Sequence, residues 1–247
     1  MSEAVQRNII TANPCHGIKG LPATEPRKML CLTPAEVATL AEAINPEYRT
    51  LIYVAAYTGL RAGELHELRW RDVDLLRGRI NVSRALKAWR QNVPIIGKTK
   101  TNKPRAVDLA PHVVTLLTAA ASLFPGGSPN PDALVFTNSN GSAIHQVAWL
   151  RNHFKPAVKA SLPRYAPPAT QTLRFHDLRH TYVSMLIAQN VHPKAIQEQA
   201  GHASITTTMD RYGHLLPGAS DTVKDALSAA HATGEQTAPV TQLRQAG

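Results

Sequence analysis

The chain has 247 residues, 43% of them hydrophobic, and a formal net charge of +10 from 27 basic and 17 acidic residues. That length fits one large domain with polar ends, and the basic surplus suits a polyanionic partner, nucleic acid first among them. No apolar run approaches the roughly 18 residues of a membrane span, no signal peptide opens the chain, and Cys15 and Cys31 fit no zinc-ligand spacing. The expectation is a soluble, reduced, cytoplasmic protein.

Residues 1–30 read as the remnant of an upstream domain and its linker. Val5 to Ile10 resembles the end of a helix stopped at Asn13-Pro14, and a basic, proline-interrupted connector runs from Lys19 to Lys28. Thr33-Pro34-Ala35-Glu36 is a helix start, with a capping threonine, a proline at the first position and an acid placed for a capping box. That helix runs to about Ala43. A second begins after Pro46, buries Leu51, Ile52, Val54, Ala55 and Ala56, and ends at Gly59. Arg61 to Leu68 reads as a further short helix with Arg61 and Glu64 as i,i+3 neighbours.

Residues 79–109 change character. Strands are expected at Arg79–Ser83, Val93–Ile96 and Arg105–Leu109, forming a small antiparallel three-stranded sheet, with Gly97 to Pro104 as the turn between the latter two. Pro94 favours an edge or strand-start position for the middle piece. The turn carries Lys98, Lys100 and Lys103. Helical periodicity returns from Pro111, with Val113, Val114, Leu116 and Leu117 on one face. Leu134 to Phe136 is extended. Residues 144–160 form an amphipathic helix with Val147, Leu150, Phe154 and Val158 aligned, kinked by Pro156. Helices follow at about 176–189, 194–200, 205–212 and 221–231. The domain is thus α+β and mainly helical, spanning 31–231, with 232–247 as a polar, disordered tail.

The chemistry-bearing residues gather at two places. Arg61 follows a glycine-containing bend, and Arg179 lies in the first turn of a later helix; guanidinium forks match the paired oxygens of a phosphate. His176 shares a helix face with Arg179. His176 and His180 have a metal-pair spacing, yet Arg179 lies between them, so His180 reads as a packed, hydrogen-bonded histidine. His202 follows a helix-stopping glycine, and Tyr212 is a nucleophile candidate if cations surround it. No carboxylate cluster calls for a two-metal nuclease site; Asp72 and Asp74 read as helix-end or surface residues.

Thr58-Gly-Leu-Arg-Ala-Gly-Glu64, His176-Asp-Leu-Arg-His180, Gly201-His202-Ala-Ser204 and Asp210-Arg-Tyr-Gly-His214 together resemble the boxes of the tyrosine recombinase (phage integrase) family. The resemblance spans roughly 30–217 and implies the catalytic-domain fold of that family. It implies that Arg61 and Arg179 clamp a scissile phosphate, that His176 assists proton transfer, that His202 hydrogen-bonds a phosphate oxygen, and that Tyr212 attacks to give a 3′-phosphotyrosyl link. Glu64 and His180 support these groups. A turn lysine protonates the 5′-oxygen. Lys100 has the best offset from Arg105-Ala-Val-Asp-Leu109, with Lys98 and Lys103 as rivals, and Lys98, Lys103 and Arg105 are further DNA-binding candidates. The implied reaction needs no metal, ATP or other cofactor. The implied partners are double-stranded recombination sites and a homotetramer on synapsed DNA, in a bacterial cytoplasm and encoded by a phage or mobile element. The sequence departs from the family at Ala200, where an apolar residue, often Leu, is usual. A type IB topoisomerase-like enzyme is disfavoured by His176, and a DNA-binding module with a decayed site by the completeness of the boxes.

Overall fold

A computed structural model of the chain describes residues 2–16, 29–99, 103–169 and 171–213, together with Lys224, Ser228 and His231. The Lys19–Lys28 connector, all but three residues of the expected 221–231 helix, and the 232–247 tail therefore lie outside the described residues.

Helix α1 (Ser2–Gln6) lies earlier than expected, because Asn8 takes a left-handed conformation (φ 54) that ends it before Ile10. The capping box forms at α2 (Pro34–Ala43). Glu36 N donates to Thr33 Oγ1 at 3.2 Å, and Thr33 N donates back to Glu36 Oε2 at 2.8 Å. Helix α3 (Arg49–Thr58) buries all five apolar residues expected of it and stops at Gly59, where φ is +61. A side chain there would also meet the Tyr182 ring at 2.4 Å, so glycine is required twice over. The next helix, α4 (Ala62–His66), is shorter than expected, and Arg61 precedes it as an extended N-cap residue.

The expected three-stranded antiparallel sheet is present, with two of its expected strands and one other. β2 (Arg79–Val82) is its centre, flanked by β1 (Val73–Asp74) and β5 (Arg105–Asp108). Val93 to Ile96 is not part of it. This segment belongs to β4 (Val93–Lys98), which pairs with β3 (Arg84–Arg90) in a separate two-stranded ribbon closed at Gln91-Asn92, both at positive φ. β3 escapes a periodicity reading because a bulge between Leu86 and Ala88 breaks its alternation and most of the strand is not buried. β4 and β5 lie in different sheets, so the hairpin expected between them is not formed.

Helix α5 (Pro111–Ser122) buries Val113 and Leu117. The long amphipathic helix is realised as α6 (Gln146–Trp149), a widened π turn at Leu150–Phe154, and α7 (Lys155–Ser161). The wide turn sits just ahead of Pro156, where the ladder lacks a donor. Val147 is 72% exposed, contrary to expectation, and Trp149 takes the buried place. Helices α8 (Asp177–Ala188), α9 (Pro193–Ala200) and α10 (Ile205–Tyr212) follow close to their expected bounds.

Most of the apolar interior is one cluster built on α2, α3, α5, α7 and the aromatic group Trp149, Phe154 and Phe175. A second, small cluster joins α8, α9 and α10 through Tyr182, Val183, Ile187, Ile196, Ala200 and Tyr212. Among the described residues, no helix is long and apolar enough to cross a membrane.

Candidate active site

The two upstream boxes meet through α3 and α8. Gly59 ends α3, and its carbonyl accepts from Arg179 Nη1 at 2.5 Å. Arg179 is 3% exposed, and its Nη2 has no hydrogen-bond partner among the described residues. Burial, then repulsion from Arg61 and Arg105, brings its pKa down to about 9, which leaves it cationic at neutral pH. Arg61 is aimed from the other side. Its Nη1 donates to Glu64 Oε1 at 3.0 Å and its Nη2 to the Gly201 carbonyl at 2.8 Å. Burial alone would raise the pKa of Glu64, but hydrogen bonds and charge from Arg105, and then Arg61, hold it at about 2.

These groups line a cleft of about 850 Å³. Arg61, Arg179, His176 and His202 all contribute to its wall, as the sequence leads one to expect, and so do Lys103 and Arg105. Lys98 is exposed at the end of β4 and is not among the lining residues, while Lys100 lies outside the described residues. Arg105 touches the cleft, but its donors go to Glu64 and the Gln199 carbonyl. Asp72 and Asp74 have structural partners in Arg84 and Arg77.

His176 is exposed on the wall, and loss of hydration followed by the charge of Arg179 lowers its pKa. His202 Nδ1 is 2.8 Å from Thr208 Oγ1. Burial, then Arg179 and Arg61, lowers its pKa to about 3, so the imidazole is neutral at neutral pH.

Tyr212 is placed differently. It is 1% exposed and belongs to the small apolar cluster behind the cleft. Its ring stacks on His202 with centroids 6.3 Å apart, and its Oη is 2.5 Å from His180 Nδ1. Burial raises the phenol pKa to about 12, with Arg179 pulling the other way. Burial, then His176 and Arg211, lowers that of His180 to about 4. The phenol is therefore protonated and shares a hydrogen bond with a neutral imidazole, whose tautomer sets which of the two donates. His180, expected as a packed, hydrogen-bonded support, has the nucleophile candidate itself as its partner. Arg211, one residue before Tyr212, lines the cleft instead. Successive helical residues differ by about 100° around the axis, so Arg211 and Tyr212 face opposite surroundings.

Sequence reasoning missed Thr208, Arg211 and Lys194 as neighbours of this site. Thr208 had a legible signal, since it stands four residues before Tyr212 and shares its helix face.

A mainly helical domain with a small antiparallel sheet and this Arg/His/Arg/His cleft has the tyrosine recombinase catalytic-domain fold. It superposes on the integrase of transposon Tn1549, solved with transposon right end DNA, with a TM-score of 0.67 and 23% identity over 84% of this chain and 68% of that one. It also superposes on the catalytic domain of bacteriophage HP1 integrase, with a TM-score of 0.55 and 19% identity over 88% of this chain and 100% of that one. Residues 31–218 match the phage integrase family, and the chain belongs to that family. Among curated relatives it is 30% identical to the ICEBs1 integrase of Bacillus subtilis over 233 residues, covering 91% of this chain and 61% of that protein. The chain spans about three fifths of that relative's length.

Proposed function

We propose that the chain is the catalytic part of a site-specific DNA recombinase. In this reading Arg61 and Arg179 bind the scissile phosphate, His176 moves the proton of the nucleophile, and His202 donates to a phosphate oxygen. Tyr212 attacks phosphorus, the P–O5′ bond breaks, and the phosphodiester energy is kept in a 3′-phosphotyrosyl ester until a 5′-hydroxyl reverses the step. The departing 5′-oxygen takes its proton from a lysine, with Lys100 preferred and Lys98 and Lys103 as alternatives. No metal or ATP enters this scheme. Fixed guanidinium donors at a developing charge are each worth about 10²–10³ in rate.

The observation that carries the reading is the convergence of two arginines and two histidines on one cleft with a tyrosine directly behind it. The stowed position of Tyr212 adds one requirement: α10 has to shift or turn before the hydroxyl reaches the phosphate. Relatives solved in complex with DNA support DNA as the substrate; in this reading the working assembly is a homotetramer on two synapsed duplexes, in the cytoplasm.

A duplex carrying a recombination site with a nick beside the scissile phosphate traps the adduct. Mass spectrometry of that adduct is expected to place the DNA on Tyr212, and Tyr212→Phe is expected to abolish it. An adduct on another residue would sink the reading. Replacing the 5′-oxygen by sulfur, which leaves without a proton, is expected to restore cleavage only to the variant lacking the proton-donating lysine.

A further inference from the structure

Glu64 has a side chain only 1% exposed, yet its two oxygens take four N–H donors. Arg61 N and Nη1 approach at 2.9 and 3.0 Å, and Arg105 Nη1 and Nη2 at 3.0 and 2.8 Å. The remaining Arg105 donor, Nε, goes to the Gln199 carbonyl at 3.1 Å, in the last turn of α9. Two residues on, the Gly201 carbonyl accepts from Arg61. β5 is tied to the same turn a second time, since Asp108 N donates to Gln199 Oε1 at 3.0 Å and Gln199 Nε2 to Asp108 Oδ2 at 2.7 Å. The contact is close: a Cβ on Gly201 would lie 2.8 Å from the Arg105 side chain.

This arrangement settles how Arg61 sits. A carboxylate facing one arginine is gripped by both prongs of its fork. Here Arg105 makes the forked contact, and Arg61 is left one guanidinium bond to Glu64, with its other prong on Gly201. Only 9% of the Arg105 side chain is exposed, which leaves little of it for a DNA backbone.

We propose that Arg105 is a positioning residue that acts through Glu64 and the Gln199–Gly201 turn to aim Arg61 at the scissile phosphate, without an essential DNA contact of its own. The proposal rests on the recombinase reading of the cleft. It differs from the simpler expectation that Arg105 binds the DNA backbone, and it explains why a lysine would not serve there: the fork is needed more than the charge.

The test is single-turnover cleavage of the nicked duplex by the full chain, with either a normal scissile phosphate or an uncharged methylphosphonate in its place. Arg61→Ala is the benchmark, because a clamp for charge has little to do once the charge is gone. Arg105→Lys and Arg105→Gln are expected to slow cleavage of the normal duplex about 10²-fold at saturating DNA. Non-covalent affinity and its salt dependence should hold. The deficit is expected to shrink to within about tenfold on the methylphosphonate, in parallel with Arg61→Ala. The ratio of the two rates is taken within each variant, so partial unfolding cancels. Equal deficits on both duplexes would show a purely structural residue and overturn the proposal. A weaker affinity with a salt slope reduced by about 0.9 would make Arg105 a phosphate contact and overturn it as well. If the unsubstituted protein forms no adduct, the recombinase reading fails, which is a separate result from failure of the Arg105 arm.

Discussion

The two walls of the cleft are built on opposite plans. On the guanidinium side, Arg61, Glu64, Arg105 and Gly201 are locked by ion pairs and carbonyl contacts, and Arg179 is anchored with one donor left over. On the tyrosine side, α10 makes few polar contacts, and Tyr212 is held out of the cleft by apolar packing and one bond to His180. The electrostatic part of such a site is prepared before any substrate arrives, while the reactive hydroxyl is withheld. In the proposed recombinase reading, that division makes DNA binding and DNA cleavage separate events.

Glu64→Ala should strike the prepared side hardest. It leaves two arginines around an empty space, and removing one partner of a buried ion pair costs about 3–5 kcal/mol. Chemical denaturation measures this, and a loss below about 1 kcal/mol would show that the guanidinium side is not preset by Glu64. Arg179→Met sharpens the contrast differently. Cleavage should fall about 10²–10³-fold, yet the melting temperature should hold or rise, since an unpartnered buried donor is exchanged for an apolar chain.

Acid should separate the two walls. The folded pKa values of His180 and His202, about 4 and about 3, lie below the ordinary histidine value of 6.5. Their contribution is therefore complete above pH 6.5 and is eroded as pH falls toward those values. Glu64, at about 2 against 4.5, loses its contribution only below 4.5. Between pH 6.5 and 4.5, hydrogen-exchange protection factors in α10, corrected for the intrinsic pH dependence of exchange, are expected to fall by up to about tenfold per pH unit per histidine, while the Arg61 amide stays protected. His66, 1% exposed against Trp149 and Phe175 with a pKa of about 4 set by burial, weakens the whole domain over the same range. A His66→Phe background removes that contribution. Simultaneous loss of protection on both walls in that background would erase the distinction.

The smallest effect belongs to the latch. His180→Phe removes a hydrogen bond worth about 1 kcal/mol and should raise chemical labelling of Tyr212 in the free protein several-fold. Unchanged labelling would assign the stowing to packing alone.

Much of this was legible in the sequence, for identifiable reasons. The helix bounds followed from Thr33, Pro34, Gly59, Pro193 and Gly201, whose backbone preferences are local. Arg61, His176, Arg179 and His202 were legible because their boxes are short and ordered. The ribbon was not, since β3 is half exposed and bulged and so carries no alternation to read. Nor was the inward direction of Arg105 or the pairing of His180 with Tyr212. Both depend on partners 41 and 32 residues away, which no local pattern reports.

The small cluster shared by α8, α9 and α10 has one more implication. Among the described residues it comprises six buried ones, of which α10 contributes Tyr212 alone. If the phenol ring leaves for the cleft, a hole the size of an aromatic side chain opens between Val183, Ile187 and Ile196. Vacating a packed site of that kind costs about 3–5 kcal/mol unless the surroundings collapse or a replacement enters. In the recombinase reading, that void sets a threshold: DNA or a neighbouring protomer must supply at least that much favourable contact before the hydroxyl can stay out. In the free protein the same figure keeps the population with the ring out of its pocket to roughly one molecule in a few hundred or fewer.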